Sequence, residues 1–288
     1  MIPARRRADG PEVAVHEPAP DRAVPEPVPL PLTASLEGPA GAPVLVLGDS
    51  LGTSRAVWDP QLPALAEQYR LLRFELPGHG GSAAPPGPYS IADLGSGVLA
   101  LLDQHGIERA GYCGISLGGM IGMWLAAEHP ARIVALGLVC TSAYLPPASA
   151  WLARADQVMR AGMASISAPS IGRWFTREFA EREPAVTAAF AADLERSDPT
   201  GYAGCCAAIA GMDLRLRLGS ITAPTLVISG ELDPATPPDH GAQIASGISG
   251  ARLIVIGGAA HLANVASPDE VTAALLEHLG GEPTGLAS

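Results

Sequence analysis

The pentapeptides Gly48-Asp49-Ser50-Leu51-Gly52 and Gly114-Ile115-Ser116-Leu117-Gly118 each set a serine between two glycines. A serine hydroxyl is a weak nucleophile until a base takes its proton, and the base works best when an acid orients it. Ser116 has the context this chemistry requires. The apolar run "RAGYCGI" ends at it and the helical pattern "LGGMIGMWLAA" follows at once. A strand-turn-helix corner of this kind exposes the hydroxyl, and the flanking glycines permit close backbone approach. Downstream, Asp233 follows the apolar run "PTLVISG", and His261 lies in the Gly/Ala-rich loop after "ARLIVIGGAA". Ser116, Asp233 and His261, each placed after a predicted strand, would act as nucleophile, orienting acid and base. Glu231 competes with Asp233 for the acid's place, whereas Asp239 and His240 read as solvated first-turn residues of the next helix. Among the other histidines, His105, His129 and His278 fall at helix C-terminal ends, where positive charge is favoured. His79 occupies the tight turn "ELPGHGGS", and His16 lies near the N-terminus.

The elements that must position these groups alternate along the chain. Short apolar runs ("APVLVLGD", "YRLLRFEL", "RAGYCGIS", "IVALGLVC", "PTLVISGEL", "ARLIVIGGA") are separated by helical patterns ("DPQLPALAEQ", "IADLGSGVLALLDQHG", "LGGMIGMWLAAEHP", "DEVTAALLEHLG"). Near-continuous apolar strands separated by helices predict an α/β fold with a mostly parallel sheet covered on both faces. Residues 143–218 break the alternation. They hold no strand run, but helical patterns such as "WLARADQVMRAGMASI", "IGRWFTREFAE" and "AVTAAFAADLER". They are expected to form a helical cap over the carboxyl edge of the sheet, where open α/β sheets bind ligands. Residues 32–142 and 219–288 then form the core, and residues 1–31 a Pro-rich extended or disordered leader with room for one short strand at "EVAVHEP".

Composition narrows the function. The chain has 288 residues, 48% of them hydrophobic, enough for one domain or a domain with an insertion. A net charge of −11 argues against nucleic acid or an anionic membrane as partner. The leader has an arginine cluster but no apolar stretch behind it, so it is not a secretory signal, and no run is long enough to span a bilayer. Cys113, Cys140, Cys205 and Cys206 form no C-x-x-C pair and read as structural thiols of a reducing compartment, so a cytoplasmic location is expected. No Gly-rich phosphate-binding pattern, H-E-x-x-H or cluster of metal ligands occurs, so the chemistry is expected to need no cofactor and no metal.

On "GISLGG", "GELDPATPP" and "GGAAHLANVASPDEV" the chain resembles the α/β-hydrolases, from about residue 32 to residue 280. On "DSLGTSRAVWDPQ", and in the cap on "WLARADQVMRAGM", "RWFTREF" and "DPTGYAGCCAAIAGMDLR", it resembles more narrowly the 3-oxoadipate enol-lactonases. Two departures stand out. The leader is longer than in such lactonases, and Glu75 stands where the turn pattern D-x-x-G-x-G-x-S has Asp. The resemblance also decides between the two serines. Ser50 spells the signature of a different class, the GDSL hydrolases, in which the catalytic aspartate sits three residues before the histidine. The residues three before the seven histidines are Val13, Leu76, Leu102, Ala126, Pro237, Gly258 and Leu275, none of them aspartate. Asp49-Ser50 instead stands where many α/β-hydrolases have His-Gly. This implies that the N–H groups of Leu51 and Leu117 are the oxyanion donors.

The activity implied is hydrolysis of 3-oxoadipate enol-lactone to 3-oxoadipate, a late step of aromatic catabolism. Either Ser116 attacks the carbonyl or His261 activates water directly. Such a substrate is a small anion, so an acidic protein must supply a local cation. Trp151 and Arg154, three apart on a predicted helix, are the candidates to bind it, and Arg173-Trp174 forms a second Arg/Trp pair. The competing reading makes these arginines solvated helix-surface groups. Rival functions on the same scaffold are a carboxylesterase, a C–C bond hydrolase and a perhydrolase. A non-catalytic small-molecule binding protein is the rival outside enzymes.

Overall fold

The computed structural model describes residues 26–280. Most of the expected leader, with its "EVAVHEP" strand, lies outside the described residues. Its last part is held against the core, with Leu30 buried and the Val28 N–H donating to Asp93 Oδ1 at 2.7 Å.

Seven strands form one sheet: β1 Ala34–Glu37, β2 Val44–Gly48, β3 Arg70–Phe74, β4 Ala110–Ile115, β5 Ile133–Val139, β6 Thr225–Gly230 and β7 Arg252–Ile256. Their order is β1-β3-β2-β4-β5-β6-β7, with β1 antiparallel to β3 and every other pair parallel. The six apolar runs of the sequence are β2 to β7. The edge strand β1 has no such run, since its "ASLE" is only partly buried and draws its order from pairing with β3. All six residues of β4 are buried, as a central strand covered on both faces requires. Each fully buried Leu or Val of this layer contributes about 1.5–3 kcal/mol.

In chain order the helices are α1 Leu62–Leu65, α2 Ile91–Gln104, α3 Leu117–Glu128, α4 Ala148–Ala161, α5 Ser167–Trp174, α6 Arg177–Arg182, α7 Pro184–Arg196, α8 Pro199–Ala210, α9 Pro238–Gly247, α10 Ala263–Ala266 and α11 Pro268–Gly280. Where the sequence suggested one helix over "DPQLPALAEQ", the chain forms a 3-10 segment, Arg55–Gln61, and then the single turn α1. Pro60 and Pro63 each remove a backbone donor there. The pattern "IGRWFTREFAE" likewise divides, because Phe175 is extended between α5 and α6.

Helices α4 to α8 all lie between β5 and β6 in sequence. The two ends of this excursion meet: Tyr144 and Asp213 form an isolated antiparallel bridge, and the Leu214 N–H donates to the Ala143 carbonyl at 2.8 Å. The cysteines are all buried and unbonded to one another, and burial pushes the Cys113 thiol up to about 12. Among the described residues, no helix is long and apolar enough to cross a membrane.

Candidate active site

Ser116 stands between β4 and α3 with φ 54° and ψ −115°, left-handed backbone that an L-residue enters only under strain. Packing enforces it. A Cβ on Gly114 would lie 2.3 Å from the Gly118 carbonyl, and one on Gly118 would lie 2.3 Å from the Gly48 oxygen. The glycines at both ends of the pentapeptide therefore let β4, α3 and the end of β2 close on one another. The Thr141 hydroxyl donates to the Ser116 carbonyl at 2.6 Å, and the Ser116 N–H to Val139 at 2.9 Å.

The loops after β6 and β7 bring Asp233 and His261 to this corner. His261 Nε2 lies 2.9 Å from Ser116 Oγ, and its Nδ1 lies 2.7 Å from Asp233 Oδ2. A carboxylate only accepts, so the hydrogen sits on Nδ1, and the Nε2 lone pair faces the serine hydroxyl. The other carboxylate oxygen, Oδ1, accepts from the Ala235 N–H at 2.8 Å and the Thr236 N–H at 3.0 Å, while the Thr236 hydroxyl donates to Oδ2 at 2.7 Å. Burial pushes the Asp233 carboxyl up. The positive charge available on His261 and the hydrogen bonds from His261 and Thr236 outweigh this, leaving its pKa below the ordinary carboxylate value. Thr236 carried no signal of its own in the sequence beyond standing three residues after Asp233. Glu231 does not compete: it is exposed, and its carboxylate accepts from the Gly258 N–H. Asp239 is exposed, as first-turn position predicts, but His240 is not freely solvated. It is half-buried in the first turn of α9, with its Nδ1 lacking a partner among the described residues.

The loop after β2 forms the opposite wall. Three successive peptide groups are held there. The Asp49 carbonyl accepts from the Gly118 N–H at 2.9 Å, and the Ser50 carbonyl accepts from the Thr53 N–H at 3.1 Å and the Thr53 hydroxyl at 2.9 Å. The Gly52 N–H donates to His79 Nε2 at 3.0 Å. The Ser50 carbonyl and the Leu51 N–H belong to one trans peptide and point oppositely, so anchoring the carbonyl at Thr53 turns the N–H away from it. The Leu117 N–H is the first of α3 and has no helical acceptor. Among the described residues, neither the Leu51 nor the Leu117 N–H donates to a protein acceptor. Ser50 is buried in the cavity wall, and no histidine hydrogen-bonds its hydroxyl among the described residues.

The cavity in front of Ser116 has a volume of about 330 Å³, within the range of small-molecule sites. Its core side is Ser50, Leu51, Ser116 and His261, and its cap side includes Trp151, Arg154, Arg173 and Tyr202. Arg154 lies 5.5 Å from the Trp151 ring centroid, a cation–π contact that shares the helix face expected from their spacing. Arg173 donates to the Ser170 hydroxyl at 3.2 Å. Both arginines are half-buried, and neither pairs with a carboxylate among the described residues. The reading of these groups as solvated helix-surface arginines therefore does not describe them.

A model of the α/β-hydrolase fold matches residues 43–268. The chain belongs to the α/β-hydrolase family. As a member of that family it is a hydrolase. It is 38% identical over 231 residues to 3-oxoadipate enol-lactonase 2 of Acinetobacter baylyi, covering 80% of this chain and 86% of that protein. The crystal structure of the enol-lactonase from Burkholderia xenovorans matches with a TM-score of 0.85 and 39% identity, covering 86% of this α/β-hydrolase and 96% of that chain. A RutD protein of Stutzerimonas stutzeri, proposed to be a carbamate hydrolase, is 30% identical, covering 83% of this chain and 92% of its own.

Proposed function

We propose that this α/β-hydrolase opens the lactone of a small anionic enol-lactone, 3-oxoadipate enol-lactone, acting in the reducing cytoplasm on a free small molecule. The observation that carries the reading is the pair Arg154 and Arg173. Two arginines without carboxylate partners among the described residues line a small cavity in front of the Ser116 hydroxyl. A guanidinium fork suits a carboxylate, and burial beside Trp151 and Trp174 strengthens the attraction. The similarity to enol-lactonases, which runs through the cap as well as the core, supports the same substrate.

Ser116 Oγ attacks the lactone carbonyl as His261 Nε2 takes its proton, and Asp233 stabilises the imidazolium that forms. The oxyanion is met by the N–H groups of Leu51 and Leu117, together contributing a few kcal/mol, of order 3. Collapse expels the ring oxygen as an enol, which His261 protonates and which tautomerises to the ketone. Water, activated by His261, then releases the second carboxylate and restores Ser116. In a route without the acyl-enzyme, His261 delivers water directly to the carbonyl. Neither route calls on a metal or cofactor.

The test is a spectrophotometric assay of enol-lactone loss, the lactone being generated in situ from its muconolactone precursor. Turnover abolished in Ser116→Ala is expected. Brisk hydrolysis of a neutral nitrophenyl ester without lactone turnover would retain the hydrolytic chemistry and discard the substrate.

A further inference from the structure

We infer that His79 is a positioning residue for the oxyanion loop, holding the Leu51–Gly52 peptide in its working orientation; the inference rests on the reading of Leu51 as an oxyanion donor. Of the three held peptides in this loop, the first is fixed by the Gly118 N–H of the Ser116 corner and the second by Thr53, within the loop itself. Only the third depends on a side chain from a distant segment. That side chain is His79, which is buried at 1% exposure, with Nε2 3.0 Å from the Gly52 N–H and Nδ1 2.9 Å from the Pro77 carbonyl.

The two contacts define one state of the ring. A backbone N–H only donates and a carbonyl only accepts, so Nε2 carries the lone pair and Nδ1 the hydrogen. Such a ring is a neutral strut, fixed to its own turn at one end and accepting from the oxyanion loop at the other. Burial also pushes its pKa down, in keeping with the neutral form.

The strut is clamped from the cap. The His79 ring stacks on Tyr202 with centroids 6.1 Å apart and planes inclined by 28°, and the Asp198 N–H at the start of α8 donates to the Gly78 carbonyl at 2.7 Å. Gly52 is confined on its other side. It adopts φ 87°, and a Cβ there would lie 2.6 Å from Leu194 and 3.3 Å from Trp174 and Tyr202. Gly52 is thus held by His79 at its N–H and crowded by Leu194, Trp174 and Tyr202 at its Cα, and Leu51 precedes it directly. Tyr202 and Trp174 also line the substrate cavity, so one imidazole joins the oxyanion loop to the cap.

The variants separate the strut from mere filling of space. In His79→Leu the ring's volume is roughly kept and the acceptor is lost. In His79→Asn the amide can reach Pro77 but is too short for Gly52, whereas in His79→Gln the amide oxygen reaches the Nε2 position. Kinetics would use whichever of enol-lactone or neutral nitrophenyl ester the wild type turns over faster, with Ser116→Ala and His261→Ala alongside and thermal melts of every variant. We expect kcat about 10-fold to 100-fold lower in His79→Leu and His79→Asn with KM little changed, and most of the loss restored in His79→Gln. Should His79→Leu not fold, the difference in kcat between the Asn and Gln variants decides. Folded Leu and Asn variants with wild-type kcat, or Asn and Gln variants that lose kcat only in step with Tm, would overturn the inference while leaving Ser116-dependent turnover intact. Turnover that persists in both Ser116→Ala and His261→Ala would overturn the reading of the site and this inference together.

Discussion

The N–H of Gly118 donates to the carbonyl of Asp49 at 2.9 Å, so the corner carrying Ser116 and the loop carrying Leu51 form one hydrogen-bonded unit. The expected nucleophile and oxyanion donors cannot move independently while that bond holds. A Cβ at residue 118 would meet the Gly48 backbone oxygen at 2.3 Å, and a strand backbone cannot step aside as a flexible side chain can. Gly118→Ala is therefore expected to destabilise the fold by about 1–3 kcal/mol and to lower kcat at the same time, read by thermal melting and by turnover of the folded fraction. Wild-type kcat in the folded fraction would separate the unit from catalysis.

Asp233 spends every oxygen on a donor. Asp233→Asn keeps the shape but places an amide where His261 Nδ1–H needs an acceptor, which favours the wrong tautomer, with hydrogen on the nitrogen facing Ser116. A fall in kcat of about three to four orders of magnitude is expected near neutral pH, with little change in the melting temperature. Glu231→Gln provides the comparison, because Glu231 is exposed and bonded to Gly258, and its kcat should stay near wild type.

Arg154 and Arg173 divide substrates by charge. Removing one charged hydrogen-bond partner is worth about 1.5–3 kcal/mol. For Arg154→Ala and Arg173→Ala this corresponds to a KM for the anionic lactone raised by roughly 10-fold to 100-fold, with kcat for a neutral nitrophenyl ester little affected. Equal losses on both substrates would assign these arginines to cap structure instead of carboxylate binding.

Asp49 supplies a pH dependence. Both its carboxyl oxygens are buried without a hydrogen-bond partner among the described residues. Burial, reinforced by the charge of Glu75, pushes its pKa well above the ordinary value. The folded chain thus binds this proton more tightly than the unfolded chain does. The resulting stability is fully present below the unfolded pKa, about 3.9, and is lost as pH rises toward the folded pKa. Asp49→Asn cannot lose a proton there, so its melting temperature should gain on wild type as the pH goes from about 4 to about 7. Calorimetry at the two pH values reads the gap, and a gap that does not widen would show that Asp49 is not held protonated.

Ser116, Asp233 and His261 were legible in the sequence because each follows an apolar run, Ser116 at once and the other two within the next loop. A buried parallel strand needs a continuous apolar stretch, and the chain after it emerges at the carboxyl edge, so type and place could be read together. The helical character of residues 143–218 was legible from its period, and the fold class from the alternation of runs. Other features were set by partners far away in the chain. The strand β1 exists because β3 pairs with it, and the break at Phe175 arises in a segment whose pattern continues unbroken. Thr236 is a local partner of Asp233, three residues on, whereas His79 became the acceptor for Gly52 across 27 residues. Arg173 joined Arg154 because α5 and α4 face one cavity, although nothing in their spacing relates them. Local period and burial are written in neighbouring residues, while hydrogen bonds between loops depend on distances that only the packed sheet and cap define.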